Sequence, residues 1–599
     1  MRSQIPLRWI HWSTFSGGLC NTANVGIGNE TLNMFRYGMN IRTRSGDVES
    51  RLGVNDYCDY SLVVGIAGNS IGPLYEYSRE YYSAGHQDYN ALIFALGTYL
   101  YSDEDAPSND VVQITASLSS SDIYCLNVFD HLFVANGADD VMTWDGNNWY
   151  KAGIDKPAAA PTGAYAAGAL NGYRRYKYTY YRPASVTNPY EKESEASDVF
   201  TAIGAGGVGL VNEKVTLTLV APGDAQATHF RIYATATFAD LAVPETDYYL
   251  RATQVIGTTT LEDNVADADL IDEAPYDTTY RDVPPEFKYM LWEGNRIYGA
   301  GVQDDPSIIY YSVIGKPFYY SQTYFWDEVG RDDGSIITGL ASIGITRFIF
   351  KENSIYQWTG DPESATPIRA VERPDASQNM NRIAIGCTHP RSIASWSNSI
   401  IFRAGNGHVY MLTLNELIQL SMYIETDIQT LGDDCTAAIF DDYYIISDGD
   451  VTIVCDLNKG VNGWEGFDTQ VDPFCFCVDH NGYLLGTEGD QIKRYYNGAN
   501  DDGVDITKIF QSSYAHTYAK NDEGAYRRVY VRSGTRSSVF TIGVFGENES
   551  LIANRSFAAD TIYCSLGRCR GLYGSVRLTW TGSEKINGID LGYFLRKRH

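Results

Sequence analysis

Few residues in this chain have the type and spacing to do chemistry. Gly204-Ala205-Gly206-Gly207-Val208-Gly209 matches G-x-G-x-x-G, the glycine pattern that lets a backbone approach a pyrophosphate. That chemistry needs a helix N-terminus directly after the glycines. Here Glu213-Lys214-Val215-Thr216-Leu217-Thr218 follows, alternating and rich in β-branched residues, so the stretch reads as a loop between strands and no cofactor is expected. Cys564 and Cys569 have the spacing of half a metal site, but no second Cys or His pair lies near them. Asp263, Asp267, Asp269, Asp272 and the pair Asp332-Asp333 are calcium-type ligands without a ligand-loop pattern, and read as solvated turns. The nine histidines fall singly, none in a G-x-S-x-G or H-E-x-x-H setting. No catalytic, cofactor-binding or metal residue is expected, and the chain reads as a non-enzyme.

The elements around these residues are β-hairpins. From about Pro284 to Gly498 one grammar repeats: an apolar strand, a tight polar turn, and a strand carrying Tyr or Trp. Clean copies start at Met290, Phe348, Ile400 and Phe476, with turns at Gly294-Asn295, Glu352-Asn353, Gly405-Asn406-Gly407 and Asn481-Gly482; a fifth turns at Asp441-Asp442 and Asp448-Gly449. Gly, Asn and Asp accept the positive φ that two-residue hairpin turns demand. The turns recur at roughly 35 to 60 residues, an interval expected of four-stranded propeller blades with variable loops. Residues 56–155 carry the same grammar, with turns near Gly97, Asp130 and Gly146. The fold class is therefore all-β: an irregular β-propeller over 56–155 and 284–500. Pro-rich linkers at Lys156 and Asp282 bracket an interruption, 156–283, whose short alternating strands read as a fibronectin III-like β-sandwich. Residues 501–599 read as a C-terminal β-sandwich. Residues 1–55 read as an irregular N-terminal arm, ending in a short pair around Ser45-Gly46-Asp47.

At 599 residues, 44% hydrophobic and 13% aromatic, the chain has ample material for several packed cores. Its ten cysteines are scattered through apolar strand patterns, as expected of buried thiols made in a reducing cytosol. Neither a signal peptide nor a membrane span is expected. The net charge of -28 is uneven: residues 1–55 carry +3, 501–599 carry +4, and 56–500 carry -35. An acidic body of this kind repels polyanions rather than gripping them.

Three segments resemble the tail nozzle and hub proteins of short-tailed bacteriophages, the tail tubular protein B family. They are the stretch from Gly17 to Val54, with Gly-Gly-Leu near its start and Arg51-Leu52-Gly53-Val54 at its close; the insertion, with Lys177-Tyr178-Thr179-Tyr180-Tyr181-Arg182-Pro183; and the tail from Tyr526 to Tyr593. Cys20 departs from the Asn that family carries after Gly-Gly-Leu. The resemblance implies a structural virion protein made in the host bacterial cytoplasm: a homohexameric ring between the portal or adaptor protein and the tail fibres or spikes, with genome DNA passing its lumen without specific binding. The lumen-facing residues are not identifiable. Two other classes compete. A carbohydrate-binding propeller adhesin would stack sugars on Trp144, Trp149, Trp358, Trp464 and Tyr495, although core packing is the favoured role for most of them. A propeller glycoside hydrolase would need two facing carboxylates.

Overall fold

The computed structural model describes residues 7–20, 34–60, 69–79, 89–104, 111–115, 117–185, 190–244, 247–331, 333–364, 367–371, 385–516, 522–533, 538–546, 550–558, 563–571 and 573–597. Within these, four-stranded antiparallel sheets form at 74–113, 124–151, 289–328, 337–370, 394–419 and 436–468, numbered here as blades 1 to 6. Three strands at 476–495 make blade 7, and its fourth, outermost strand comes from the other end of the chain, Val54–Asp59. The first strand of each blade lies beside the first strand of the next, and blade 7 returns to blade 1, so the seven blades close a circle. Hydrophobic clusters fill the gaps between successive blades, for example Tyr298, Tyr311, Ile349 and Trp358 between blades 3 and 4. Closing the ring with a strand from the opposite terminus ties the first blade to the last and protects sheet edges.

Two of the expected hairpin turns have positive φ at both central residues. Gly294 and Asn295 both have positive φ (57° and 63°), as do Asp441 and Asp442 (48° and 62°). Such turns match the right-handed twist of the strands they join.

The interruption is a two-sheet sandwich between blades 2 and 3. One sheet holds 162–172, 210–218 and 260–263; the other holds 192–193, 174–182, 229–235 and 248–255, with 200–202 at its side. Tyr176, Tyr178, Val215, Leu217, Phe230 and Ile232 form its core. Its two ends leave the propeller side by side, since a Cβ on Gly153 would lie 3.3 Å from the Val283 side chain.

The N-terminal segment, an irregular arm by sequence, is built into the rest of the molecule. Four strands carry it: β1 (Arg8–Trp12), β2 (Phe35–Met39), β3 (Ile41–Arg42) and β4 (Glu49–Ser50); β5 is the strand Val54–Asp59 that completes blade 7. β1 pairs with 586–597 along one sheet of the C-terminal sandwich. β2 lies parallel to the last strand of blade 6 on one side and antiparallel to 508–512 on the other. Blade 6 and the second sheet of the sandwich thereby merge into one ten-stranded sheet. Their shared core runs through Trp12, Phe35, Trp464, Phe510, Trp580 and Tyr593. β3 and β4 pair with each other around the Ser45-Gly46-Asp47 turn, as expected from the sequence, whereas β1 and β2 escaped sequence reading because each is short and its partner lies more than 400 residues away, so no local period marks them.

Candidate functional site

A dense set of buried polar groups sits where the N-terminal segment, blades 6 and 7 and the C-terminal sandwich meet. Arg51 is fully buried. Its two terminal nitrogens hold both oxygens of Asp501 (2.9 and 2.8 Å), and they also donate to the carbonyls of Leu52 and Thr469. Its Nε donates to Asn40 Oδ1 (3.0 Å). Asn40, at φ 58°, uses its amide to bind Thr469 Oγ1 and the Thr507 carbonyl, linking β2 to blade 6 and to the sandwich. Asp501 also accepts from Val54 N–H, the first amide of β5. One guanidinium thus ties the strand that closes the propeller to the chain that leaves it. Only Arg's planar fork supplies this many directed donors.

Gly53 explains the next position of the Arg51-Leu52-Gly53-Val54 element. A Cβ there would sit 1.8 Å from the carbonyl oxygen of Asn500, and its amide and carbonyl bond Gly498 and Asn497. The two backbones pack too closely for any side chain.

A second arginine flanks this buckle. Arg42 grips Asp468 with two nitrogens (2.6 and 3.1 Å), under Tyr443 and Tyr496, and Tyr496 donates to the same carboxylate at 2.8 Å. Burial alone would raise the Asp468 carboxyl, but Arg42 and Arg51 outweigh it and hold it below the usual carboxylate range. Glu465, also buried, accepts from the amide and hydroxyl of Thr43 and from Lys459. Here burial wins and the carboxyl is raised.

The propeller axis is obstructed. Arg391, in the turn leading to blade 5, reaches Asp122 (3.1 Å) and the Ile123 carbonyl (3.1 Å) at the start of blade 2 and lies over the Tyr124 ring. Lys288, at the start of blade 3, reaches the same Asp122 at 2.5 Å. Blades 5 and 2 are not neighbours, so this contact crosses the axis. The bore of a single propeller is not an open conduit at this end.

The residues singled out by sequence take other roles. The Gly204–Gly209 stretch is a loop between two strands of the inserted sandwich, with a strand and not a helix beyond it. The amide of Ala205 within it and that of Val211 on the strand beyond both donate to the Glu213 carboxylate (3.2 and 3.4 Å). Asp263, read as a solvated turn residue, is instead fully buried between Arg174 (2.9 Å) and Arg251 (2.6 Å) and accepts from Tyr176. Asp267 bonds Arg174 and Thr237. Sequence missed these pairings because the arginines stand on separate strands. Asp269 and Asp272 lie in and just after the short helix Asp267–Ile271, and Asp333 bonds buried Lys351 at 2.6 Å; Asp332 lies outside the described residues. Cys564 and Cys569 share one strand, buried, with their sulfurs against backbone carbonyls. Among the described residues no group of three His, Cys, Asp or Glu is arranged to hold a metal.

The aromatics named for sugar stacking require a correction. Trp358, Trp464 and Tyr495 are at most 1% exposed and Trp144 is 4% exposed; all four, with partly buried Trp149, fill gaps between blades or the core shared with the sandwich. They serve packing, because the outward-reading Trp and Tyr of each hairpin point at the neighbouring blade. Among the described aromatics that reach solvent, Tyr324 (63% exposed), Trp326 and Tyr280 gather at the outer edge of blade 3, with the Tyr280 and Tyr324 rings 5.2 Å apart. Of the carboxylates that could face each other as in a glycosidase, Glu76 and Asp479 share a cavity of about 210 Å³. Asp479 is occupied by the amide of Tyr483 and by Asn481, and Glu76 by His480 at 2.5 Å.

No protein-family profile and no curated protein matches the chain. Similar solved structures include a streptogramin B lyase (10% identity, 74% of this chain and 97% of that one, TM-score 0.32). Another is Hsv2 of Kluyveromyces lactis (8% identity, 62% and 92%, TM-score 0.23), and a third is the WD40 β-propeller domain of Doa1 (7%, 44% and 88%, TM-score 0.19). At these scores the propeller assignment rests on the chain's own strand order.

Proposed function

We propose that this protein is a structural subunit of a short-tailed phage tail, one copy of a nozzle ring through which DNA leaves the particle. The observation that carries this reading is the buckle. Strands from both terminal segments pair in one sandwich that continues blade 6, and beside it a buried guanidinium ties together residues 450 apart in sequence. Such a unit resists being pulled apart from either terminus, as a conduit under ejection pressure requires. The resemblance of the Arg51-to-Val54 element to the family's closing motif points the same way. Because Arg391 obstructs the propeller axis, the DNA path in this reading runs between copies, along the ring's centre. The acidic body of 56–500 faces that path and the basic ends meet protein neighbours. At about 0.15 M salt the Debye length is about 8 Å, so wall charge acts only on closely passing DNA, where it prevents adhesion. The assembled protein is therefore expected not to retain duplex DNA in a filter or mobility assay at that salt; tight retention contradicts this arrangement.

A second reading, a glycan-binding propeller, is favoured by one observation. Tyr280, Tyr324 and Trp326 present a solvent-facing aromatic surface of the kind sugars stack on.

A further inference from the structure

A cavity of about 440 Å³ opens where the inserted sandwich meets blade 3, a size and location typical of small-molecule sites. One wall comes from the sandwich, with Arg231 and Tyr233 on the strand His229–Thr235, and the other from the propeller, with Phe318 and Tyr319 in the loop before the outer strand of blade 3.

The charges of this wall are balanced within it. Arg231 is held by Glu193 (2.8 Å) and Glu191 (3.6 Å). Arg281 lies 3.8 Å from Glu193 and 3.4 Å from Asp277, and Lys316 pairs Asp277 at 3.6 Å. Three cations therefore meet three carboxylates, and a phosphate or carboxylate ligand would displace an existing ion pair rather than complete one. Glu191, Asp277 and Lys316 are each roughly half exposed, so they keep hydrogen-bonding capacity toward the cavity. Alternating carboxylate acceptors and an ammonium donor around aromatic walls suit vicinal hydroxyls above an apolar ring face.

We infer that this cavity binds a neutral, polyhydroxylated ligand, a single sugar ring of a glycan. Tyr280, the chain neighbour of the cavity-lining Arg281, has its ring 5.2 Å from that of exposed Tyr324, so the aromatic surface begins one residue from the cavity wall. The inference rests on the glycan-binding reading and is independent of the ring.

The test is saturation-transfer NMR and titration calorimetry on the full chain with glucose, galactose, mannose, N-acetylglucosamine and their disaccharides, against sialic acid and inorganic phosphate. At least one neutral sugar is expected to bind, and Ala274→Trp, placed at the exposed rim, is expected to weaken it about tenfold or more. Lys316→Ala, on an exposed side chain, is expected to act in the same direction and serves if the tryptophan perturbs folding. Preference for phosphate or sialic acid overturns the inference. So does sugar binding that survives both variants but is lost in Tyr324→Ala/Trp326→Ala, which leaves the glycan reading standing on the aromatic surface alone. Absence of any neutral-sugar binding overturns both.

Discussion

Replacing Arg51 by Ala is expected to cost about 3–5 kcal/mol, the usual penalty for breaking a buried, hydrogen-bonded ion pair from one side. The change strands the Asp501 carboxylate and Asn40 Oδ1 without their guanidinium partner in a site that Arg51 now fills completely. Because β5 depends on this contact, the loss should be local first. Blade 7 and the N-terminal strands should become protease-sensitive and exchange their amides faster, while the inserted sandwich keeps its protection. Arg51→Lys should rescue little, since an ammonium cannot reproduce the fork. Gly53→Ala should behave like Arg51→Ala, because its methyl would lie 1.8 Å from a backbone oxygen that has no freedom to retreat. Arg44, on the exposed side of the same network and paired with Asp441 and Asp456 at 3.3 Å, is the control; its removal should cost about 1 kcal/mol or less. Equal, small effects for Arg44→Ala and Arg51→Ala would show that the buckle does not hold the closure.

The second large effect is expected at Asp263. Asp263→Ala leaves Arg174, wholly buried, with only Asp267 and a carbonyl, and should lower the stability of the inserted sandwich by about 3–5 kcal/mol. The double change Arg174→Met/Asp263→Leu should cost less than the single one, since it removes both charges together. Burial would raise the Asp263 carboxyl, but Arg174, Tyr176 and Arg251 outweigh it and hold it below its ordinary value. The sign follows directly: the contribution is fully present above the unfolded value of about 3.9 and fades as pH falls through the lower folded value. Calcium should not change the sandwich's melting temperature. A melting temperature unaffected by Asp263→Ala would return this residue to the solvated turn expected from the sequence, and a calcium-dependent rise would make it a ligand.

Much of the fold was legible from the chain alone, for a physical reason. Hairpins are local, so Gly294-Asn295 or Asp441-Asp442 between alternating strands announces a blade edge within a dozen residues. Likewise the alternation of Val215-Thr216-Leu217-Thr218 made the strand after Gly209 legible. What stayed hidden depends on distant partners. β1 and β2 are five-residue strands whose meaning lies in residues 464–512 and 586–597, and the arginines that neutralise Asp263 come from two other strands. The aromatic pattern left two roles open, sugar stacking and packing, and packing is what the blades use. Trp358 and Tyr495 have the alternation of surface residues in an isolated hairpin, yet in a propeller both faces of a blade are covered by neighbours. The Arg51-Leu52-Gly53-Val54 element stood out through resemblance, while its physical content, a buried fork and a backbone contact closer than a methyl group permits, emerged only from the assembled chain.

The most direct test of the central claim is electron microscopy of the purified full-length protein, with native mass spectrometry of the same sample. The account predicts a closed ring of about six copies around a central opening, with the inserted and C-terminal sandwiches repeated around it. A protein that stays monomeric under all conditions of concentration and salt in which it remains folded would contradict it.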